Sequence, residues 1–129
     1  MNLDLSNKKV IITGGSTGIG KEVVTLFATN GAKVAIFDVN DTEGIELTNQ
    51  LNKDGHEIRY WHVDVRDSNQ VSGGVMAAEQ WLEGVDILIN LAGILQGASI
   101  NIEEFPDEVW DSVVGINLTG SYLMVKHVS

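Results

Sequence analysis

The sequence predicts an α/β fold: a doubly wound parallel sheet that ends after a fourth strand and the helix following it. Three observations predict it. Short, unbroken apolar runs alternate along the chain with stretches whose apolar residues recur at helical spacing. Because the runs do not alternate with polar residues, both faces of their sheet expect cover. A cluster of glycines stands between the first run and the first helical stretch.

Each element follows in turn. Lys9–Thr13 (KVIIT) reads as a buried strand. Gly18–Asn30 reads as a helix with Ile19, Val23, Leu26 and Phe27 at helical spacing, and Asn30-Gly31 supplies a left-handed stop. Lys33–Phe37 (KVAIF) is a second apolar strand. Thr42–Asp54 is a helix with Leu47 and Leu51 in register, and Gly55 ends it. Glu57–Val63 gives a third strand. Val71, Val75, Ala78 and Leu82 mark a third helix, weakened by the Gly73-Gly74 pair. Asp86–Leu91 (DILINL) is a fourth strand. A polar loop with the sequence's only proline, Pro106, leads to a long helix over Asp107–Val128 whose apolar residues run nearly all round it, so that it expects cover on more than one side. Strand–helix alternation implies parallel strands with right-handed crossovers, in the order 3-2-1-4.

Composition narrows the classes of function. The chain has 129 residues, 43% of them hydrophobic, enough for one core. It has no long apolar run to span a membrane and no signal-peptide pattern, which points to the cytoplasm. It has no cysteine, and His56, His62 and His127 show no ligand spacing, so no metal site is expected. A net charge of −10 disfavours nucleic acid as partner. A small anionic cofactor stays open, since backbone amides bind phosphate without net positive charge.

The segment VIITGGSTGIG, residues 10–20, carries the strongest chemical signal. Gly14 can make the tight turn out of the strand. Gly18 lets backbone approach a pyrophosphate, and Gly20 lets the helix pack hard on the sheet. The helix that opens over Gly18, Ile19 and Gly20 offers unpaired N–H groups to phosphates, and Ser16 and Thr17 can add hydroxyl donors. A ligand-free strand-to-helix turn would use the same glycines. What separates the two is context. The cluster sits in a βαβ unit, and Asp38 stands 18 residues past Gly20 at the tip of the second strand. A carboxylate there can take both hydroxyls of an adenosine ribose and repel a 2′-phosphate, which favours NAD over NADP.

Thr13-Gly14-x-x-x-Gly18-x-Gly20 resembles the T-G-x-x-x-G-x-G motif of the short-chain dehydrogenases/reductases. Three further motifs follow in order. Asp64-Val65 resembles the family's pair beside the adenine, which implies that the carboxylate accepts from the adenine amino group and the Val covers the ring; a helix cap is the alternative, with Asp67 and Ser68 near. ILINLAGI, residues 87–94, is similar to the family's N-N-A-G segment. There Asn90, Ala92 and Gly93 match and would border the cofactor, while Leu91 stands where the family has Asn, which implies a lost brace between central strands. FPDEVWDSVVGINLTG resembles the helix between the fourth and fifth strands, and Asn117 matches the Asn whose main chain holds a water of the proton relay. The resemblance covers essentially the whole chain. It implies a Rossmann-like fold, NAD as cofactor and hydride transfer between nicotinamide and a small-molecule alcohol or ketone.

In the family a Ser, a Tyr and a Lys complete the chemistry. Tyr122 and Lys126 have the right spacing, but they follow Asn117 on the same helix, whereas the family's pair lies on the next helix, beyond a fifth strand. The resemblance thus implies a cofactor-binding N-terminal portion over 1–129, with the Ser/Tyr/Lys part absent. By itself this chain is expected to be inactive. A homo-oligomer, or pairing with the missing C-terminal half, would cover the edge of the fourth strand. A non-catalytic NAD-binding module and a structural partner of a full-length relative are the alternatives.

Overall fold

The structure, a computed structural model, describes residues 4–91. Seven elements follow in order: β1 (Lys9–Thr13), α1 (Gly18–Thr29), β2 (Lys33–Asp38), α2 (Asp41–Lys53), β3 (Ile58–His62), α3 (Ser68–Leu82) and β4 (Ile87–Asn90). The four strands form one parallel sheet in the order β3-β2-β1-β4, as the alternation predicts. The expected long final helix, and with it Ala92, Gly93, Asn117, Tyr122 and Lys126, lies outside the described residues.

The uniformly apolar strands have the two-sided cover they require. On one face Val10, Ile12, Val34 and Ile36 pack against Val24 and Ala28 of α1 and Leu47 and Leu51 of α2. On the other, Ile11, Ala35 and Phe37 meet Val71, Val75, Ala78 and Leu82 of α3. Burying each large side chain contributes about 1.5–3 kcal/mol. Glycine governs how closely two of the helices approach. A Cβ on Gly74 would stand 2.7 Å from Val63 Cγ2, so α3 packs tightly there, whereas Gly73 faces open space.

The buried stripe of α1 follows the sequence expectation in part: Val23 and Phe27 pack against the core, whereas Ile19 and Leu26 do not. Ile19 is 77% exposed and Leu26 37%, while the buried residues of α1 are Gly20, Val24 and Ala28. The cause is backbone contact: a Cβ on Gly20 would lie 1.8 Å from the carbonyl oxygen of Gly14. Only the glycine side of the helix fits against the turn, so the buried stripe runs through Gly20, Val24 and Ala28 with Val23 and Phe27 partly buried beside it.

Helix ends follow local chemistry. Gly31 and Gly55 take the left-handed conformation expected after α1 and α2 (φ 99° and 91°). At the amino edge of the sheet, Lys33 Nζ donates to the Trp81 carbonyl at 2.8 Å and Lys9 Nζ to the Glu83 carbonyl at 2.7 Å. Both lysines thus satisfy carbonyls at the C-terminus of α3, where the helix dipole favours cations. A hollow of about 350 Å³ beside them is lined by those same lysines, Glu57 and Glu83.

Candidate functional site

In a parallel sheet the loops that follow the strands gather at the carboxyl edge. There the register sets Thr13 beside both Phe37 and Asn90, and Asp38 beside His62. Strand order reverses at β1, where open α/β sheets bind ligands.

The β1–α1 turn is the centre of this edge. Gly14 has φ 72° and donates its amide to the Phe37 carbonyl at 2.8 Å, which pins the turn to β2. Gly18 has φ 56°, and a Cβ there would meet nothing within 4 Å. The glycine is needed for backbone conformation, and the space beside it is open. Thr17 caps α1 in an extended conformation without a side-chain hydrogen bond, and the first turn of α1 carries no acidic residue. The other two helices differ. Asp67 caps α3, accepting from the amides of Asn69 and Gln70, and α2 carries Asp41 and Glu43 in its first turn. Among the three, α1 alone presents its positive end without a carboxylate, the arrangement an external anion needs.

Ser16 takes a different part from the one its hydroxyl suggests. It is 2% exposed, and its Oγ is buried without a partner, turned toward Gly44 of α2. Its amide, not its hydroxyl, works at the site: it donates to Asp38 Oδ2 at 3.1 Å. Thr17 and Ile19 are exposed beside the open turn. A hollow of about 270 Å³ runs from Ser16, Thr17 and Gly18 to Glu43 and Leu47 of α2.

Asp38 ends β2 and is 9% exposed. Its Oδ1 accepts from the amide of Val39 at 2.7 Å and from the Asn40 side-chain amide at 3.3 Å. The Asn40 amide also approaches Oδ1, at 3.4 Å, so Oδ1 takes three donors and the lone pair left free is on Oδ2, which holds only the Ser16 amide; together the donors fix the carboxylate between the glycine turn and the start of α2. Val39, next along the chain, is 49% exposed, so the residue after the carboxylate offers no cation.

A second cluster, which the sequence reading missed, braces this turn from β3. Asp41 Oδ1 lies 2.6 Å from the Tyr60 hydroxyl and 2.8 Å from His62 Nδ1. The same hydroxyl is 2.9 Å from the Asp38 carbonyl. Burial, reinforced by Asp41, pushes the Tyr60 phenol above its ordinary range, and the hydrogen bond from Tyr60, then that from His62, holds the Asp41 carboxyl below its own. Tyr60 and His62 are two apart on a strand, hence on one face; that spacing was the available signal.

On the far side of β3, Asp64 is gripped by Arg66. Its Oδ1 accepts from the Arg66 amide at 3.0 Å and Nε at 3.1 Å, and its Oδ2 from Nη2 at 2.9 Å. The Arg66 side-chain hydrogen bond is the main reason the Asp64 carboxyl sits below its ordinary range. Val65 is 4% exposed and belongs to the core beneath α3, leaving little of it to cover a ring. The capping role falls to Asp67, so Asp64 is not the cap of α3. Across β1, the Thr13 hydroxyl donates to Asn90 Oδ1, joining β1 and β4. The Leu91 amide donates to the Thr13 carbonyl at 3.1 Å, while its side chain is 39% exposed.

The glycine turn thus leaves the N-terminus of α1 uncapped and open on the same edge as the carboxylate at the tip of β2. Fold and edge together define a Rossmann-like α/β domain. The chain matches the family model for short chain dehydrogenases over residues 8–129, and it belongs to that family. Among similar proteins are (+)-borneol dehydrogenase 1 of Salvia officinalis, 41% identical over 97% of this chain and 47% of that protein, and D-threitol dehydrogenase of Mycolicibacterium smegmatis, 37% identical over 96% and 47%. The crystal structure of a short-chain type dehydrogenase/reductase from Mycobacterium marinum superposes with a TM-score of 0.88 at 30% identity, covering 97% of this chain and 50% of that one. The chain spans about half the length of the curated relatives it matches. The family consists of oxidoreductases that bind nicotinamide cofactors. Among the described residues no helix is long and apolar enough to cross a membrane.

Proposed function

We propose that this chain is the cofactor-binding portion of an NAD-dependent oxidoreductase acting between an alcohol and a ketone. Asp38 carries this reading. It is a nearly buried carboxylate, oriented by the Ser16 amide, beside an uncapped helix N-terminus. Gly14, Gly18 and the first amides of α1 would hold the pyrophosphate, with Thr17 and Ile19 beside it. Asp38 would take the ribose hydroxyls, and Asp64 the adenine. Asn90, Ala92 and Gly93 would border the nicotinamide side. The lack of a basic side chain at Val39 and Asn40 supports NAD over NADP, because a 2′-phosphate would face Asp38 without a neutralising cation.

Bound nicotinamide would supply a hydride acceptor or donor at its ring. What this chain contributes is placement. The buried β1–α1 contact at Gly20 fixes the cradle, and Asp38 and Asp64 fix the adenosine end, so that the reacting end is held at the β1–β4 side of the edge. By family resemblance the main chain of Asn117 would hold a relay water, and a Ser, a Tyr and a Lys outside this chain would move the proton. The whole enzyme is proposed as a homo-oligomer, or as this part joined with a C-terminal part, acting in the cytoplasm.

The test is titration of the purified protein with NADH and NADPH, following energy transfer from tryptophan. Tighter binding of NADH by tenfold or more is expected. Preference for NADPH would overturn the role of Asp38, and binding of neither would overturn the cofactor reading.

A further inference from the structure

The Arg66–Asp64 pair has a geometry that a surface ion pair does not need. Arg66 commits three donors to one carboxylate: its own amide and Nε to Oδ1, and Nη2 to Oδ2. The Asp64 side chain is only 23% exposed, while that of Arg66 is 44% exposed. The backbone around the pair is fixed as well. The Asp64 amide donates to Gln70 Oε1 at 2.9 Å, Gln70 Nε2 donates to Asp67 Oδ2 at 3.1 Å, and the Asp67 amide donates to the Asp64 carbonyl at 2.9 Å. The carboxylate therefore has one orientation and one charge state. Oδ1 takes two donors and Oδ2 takes one, so the lone pair left for a ligand is on Oδ2. It is an acceptor only.

We infer that Arg66 is a positioning residue that aims Asp64 Oδ2 at the exocyclic amine of the adenine and so selects a 6-amino over a 6-oxo purine dinucleotide. This rests on the proposed adenosine site. An amine at the purine 6-position donates to Oδ2. An oxo group there sets acceptor against acceptor, and a carboxylate locked by a guanidinium fork can neither rotate away nor gain a proton to relieve the clash. Without the fork only the backbone amide of residue 66 holds Oδ1, Oδ2 turns about that bond, and the distinction fades. The guanidinium is fixed by two parallel bonds, which lysine cannot reproduce.

The test compares NADH with reduced nicotinamide hypoxanthine dinucleotide, the same molecule with a 6-oxo base, by tryptophan energy transfer in the purified protein. Wild type is expected to bind NADH about tenfold more tightly. Arg66→Gln should cut that ratio to threefold or less by weakening NADH alone, and Arg66→Lys should fall between. A ratio that survives Arg66→Gln, equal weakening of both ligands, or tighter NADH binding in Arg66→Gln would each overturn the inference. Equal binding of the two ligands by wild type would overturn it too, while leaving the proposed function standing. Binding of neither would remove both.

Discussion

Alanine at Gly20 and alanine at Gly73 are chemically one substitution with opposite expected outcomes. At Gly20 the added Cβ would stand 1.8 Å from the Gly14 oxygen, 2.7 Å from the Gly14 carbonyl carbon and 3.0 Å from Gly15 Cα. All three neighbours are backbone, so no side chain can swing aside. Restoring ordinary contact with the oxygen requires the turn and the helix to part by about 1.6 Å, taking 3.4 Å as the lower limit of ordinary contact. That exceeds a typical overpacked core, which costs ~1–3 kcal/mol, so roughly 3 kcal/mol is a floor. Helix propensity returns about 1 kcal/mol of it. The net loss of at least ~2 kcal/mol corresponds to a fall in Tm on the order of 10 °C for a domain of this size. NADH affinity should fall with it, because the displaced Gly14 belongs to the proposed phosphate cradle. At Gly73 a Cβ meets nothing within 4 Å, and the position is interior to α3. Alanine there should stabilise by about 0.5–1 kcal/mol. Urea unfolding followed by tryptophan fluorescence reads both, with Gly73→Ala as the control for the method. A Gly20→Ala midpoint equal to that of wild type would refute the claim that only the glycine side of α1 fits against the turn.

Three further outcomes follow from the edge of the sheet. Asp38→Ala should weaken NADH at least tenfold and bring NADPH within a few-fold of it in parallel titrations; an unchanged preference would remove Asp38 from the ribose. Tyr60→Phe should cost about 1 kcal/mol at neutral pH, from the lost hydroxyl bonds. It should also flatten the alkaline limb: the folded phenol titrates above its unfolded value of about 10, so its contribution is fully present below that pH and is lost as pH rises beyond it, and urea midpoints between pH 9 and 11 would show the difference. Tyr122→Phe in the proposed enzyme should leave kcat within a few-fold of wild type, since the resemblance implies a catalytic Tyr and Lys on a later helix than the one carrying Asn117; a loss of several powers of ten would assign the proton transfer to Tyr122.

What the sequence made legible was everything carried by local pattern. Four apolar runs gave the four strands, their alternation with helices gave the order β3-β2-β1-β4, and Gly31 and Gly55 ended α1 and α2 where left-handed residues were needed. What it hid was set by approach between segments distant in sequence. The close contact between Gly20 and the Gly14 carbonyl is one to which apolar periodicity is blind, and Ile19, in register with Val23, stands open beside the glycine turn instead of joining it on the core. The hydroxyl of Ser16 reads as a phosphate donor until the fold turns it under α2 and leaves its amide facing Asp38. Tyr60, Asp41 and His62 meet only because β3 pairs with β2 in a register that brings His62 beside Asp38.

These hidden contacts share a consequence for how an acidic chain could hold an anion. With a net charge of −10, long-range attraction works against a dinucleotide. Four of the described carboxylates at this edge are engaged by donors of their own: Asp38 by the amides of Ser16 and Val39, Asp41 by Tyr60 and His62, Asp64 by Arg66, Asp67 by the amides that open α3. Each is thereby fixed in place and partly neutralised, while the first turn of α1 is left without an acid or a side-chain cap. In the proposed site, attraction for phosphate would depend on short-range, oriented N–H groups at one turn, which act over a few ångströms and are little affected by the distant net charge. An edge built this way would hold a pyrophosphate by geometry more than by net charge, and that is why the Gly20→Ala displacement, which alters no charge at all, is expected to weaken the dinucleotide as surely as removing a side chain that touches it.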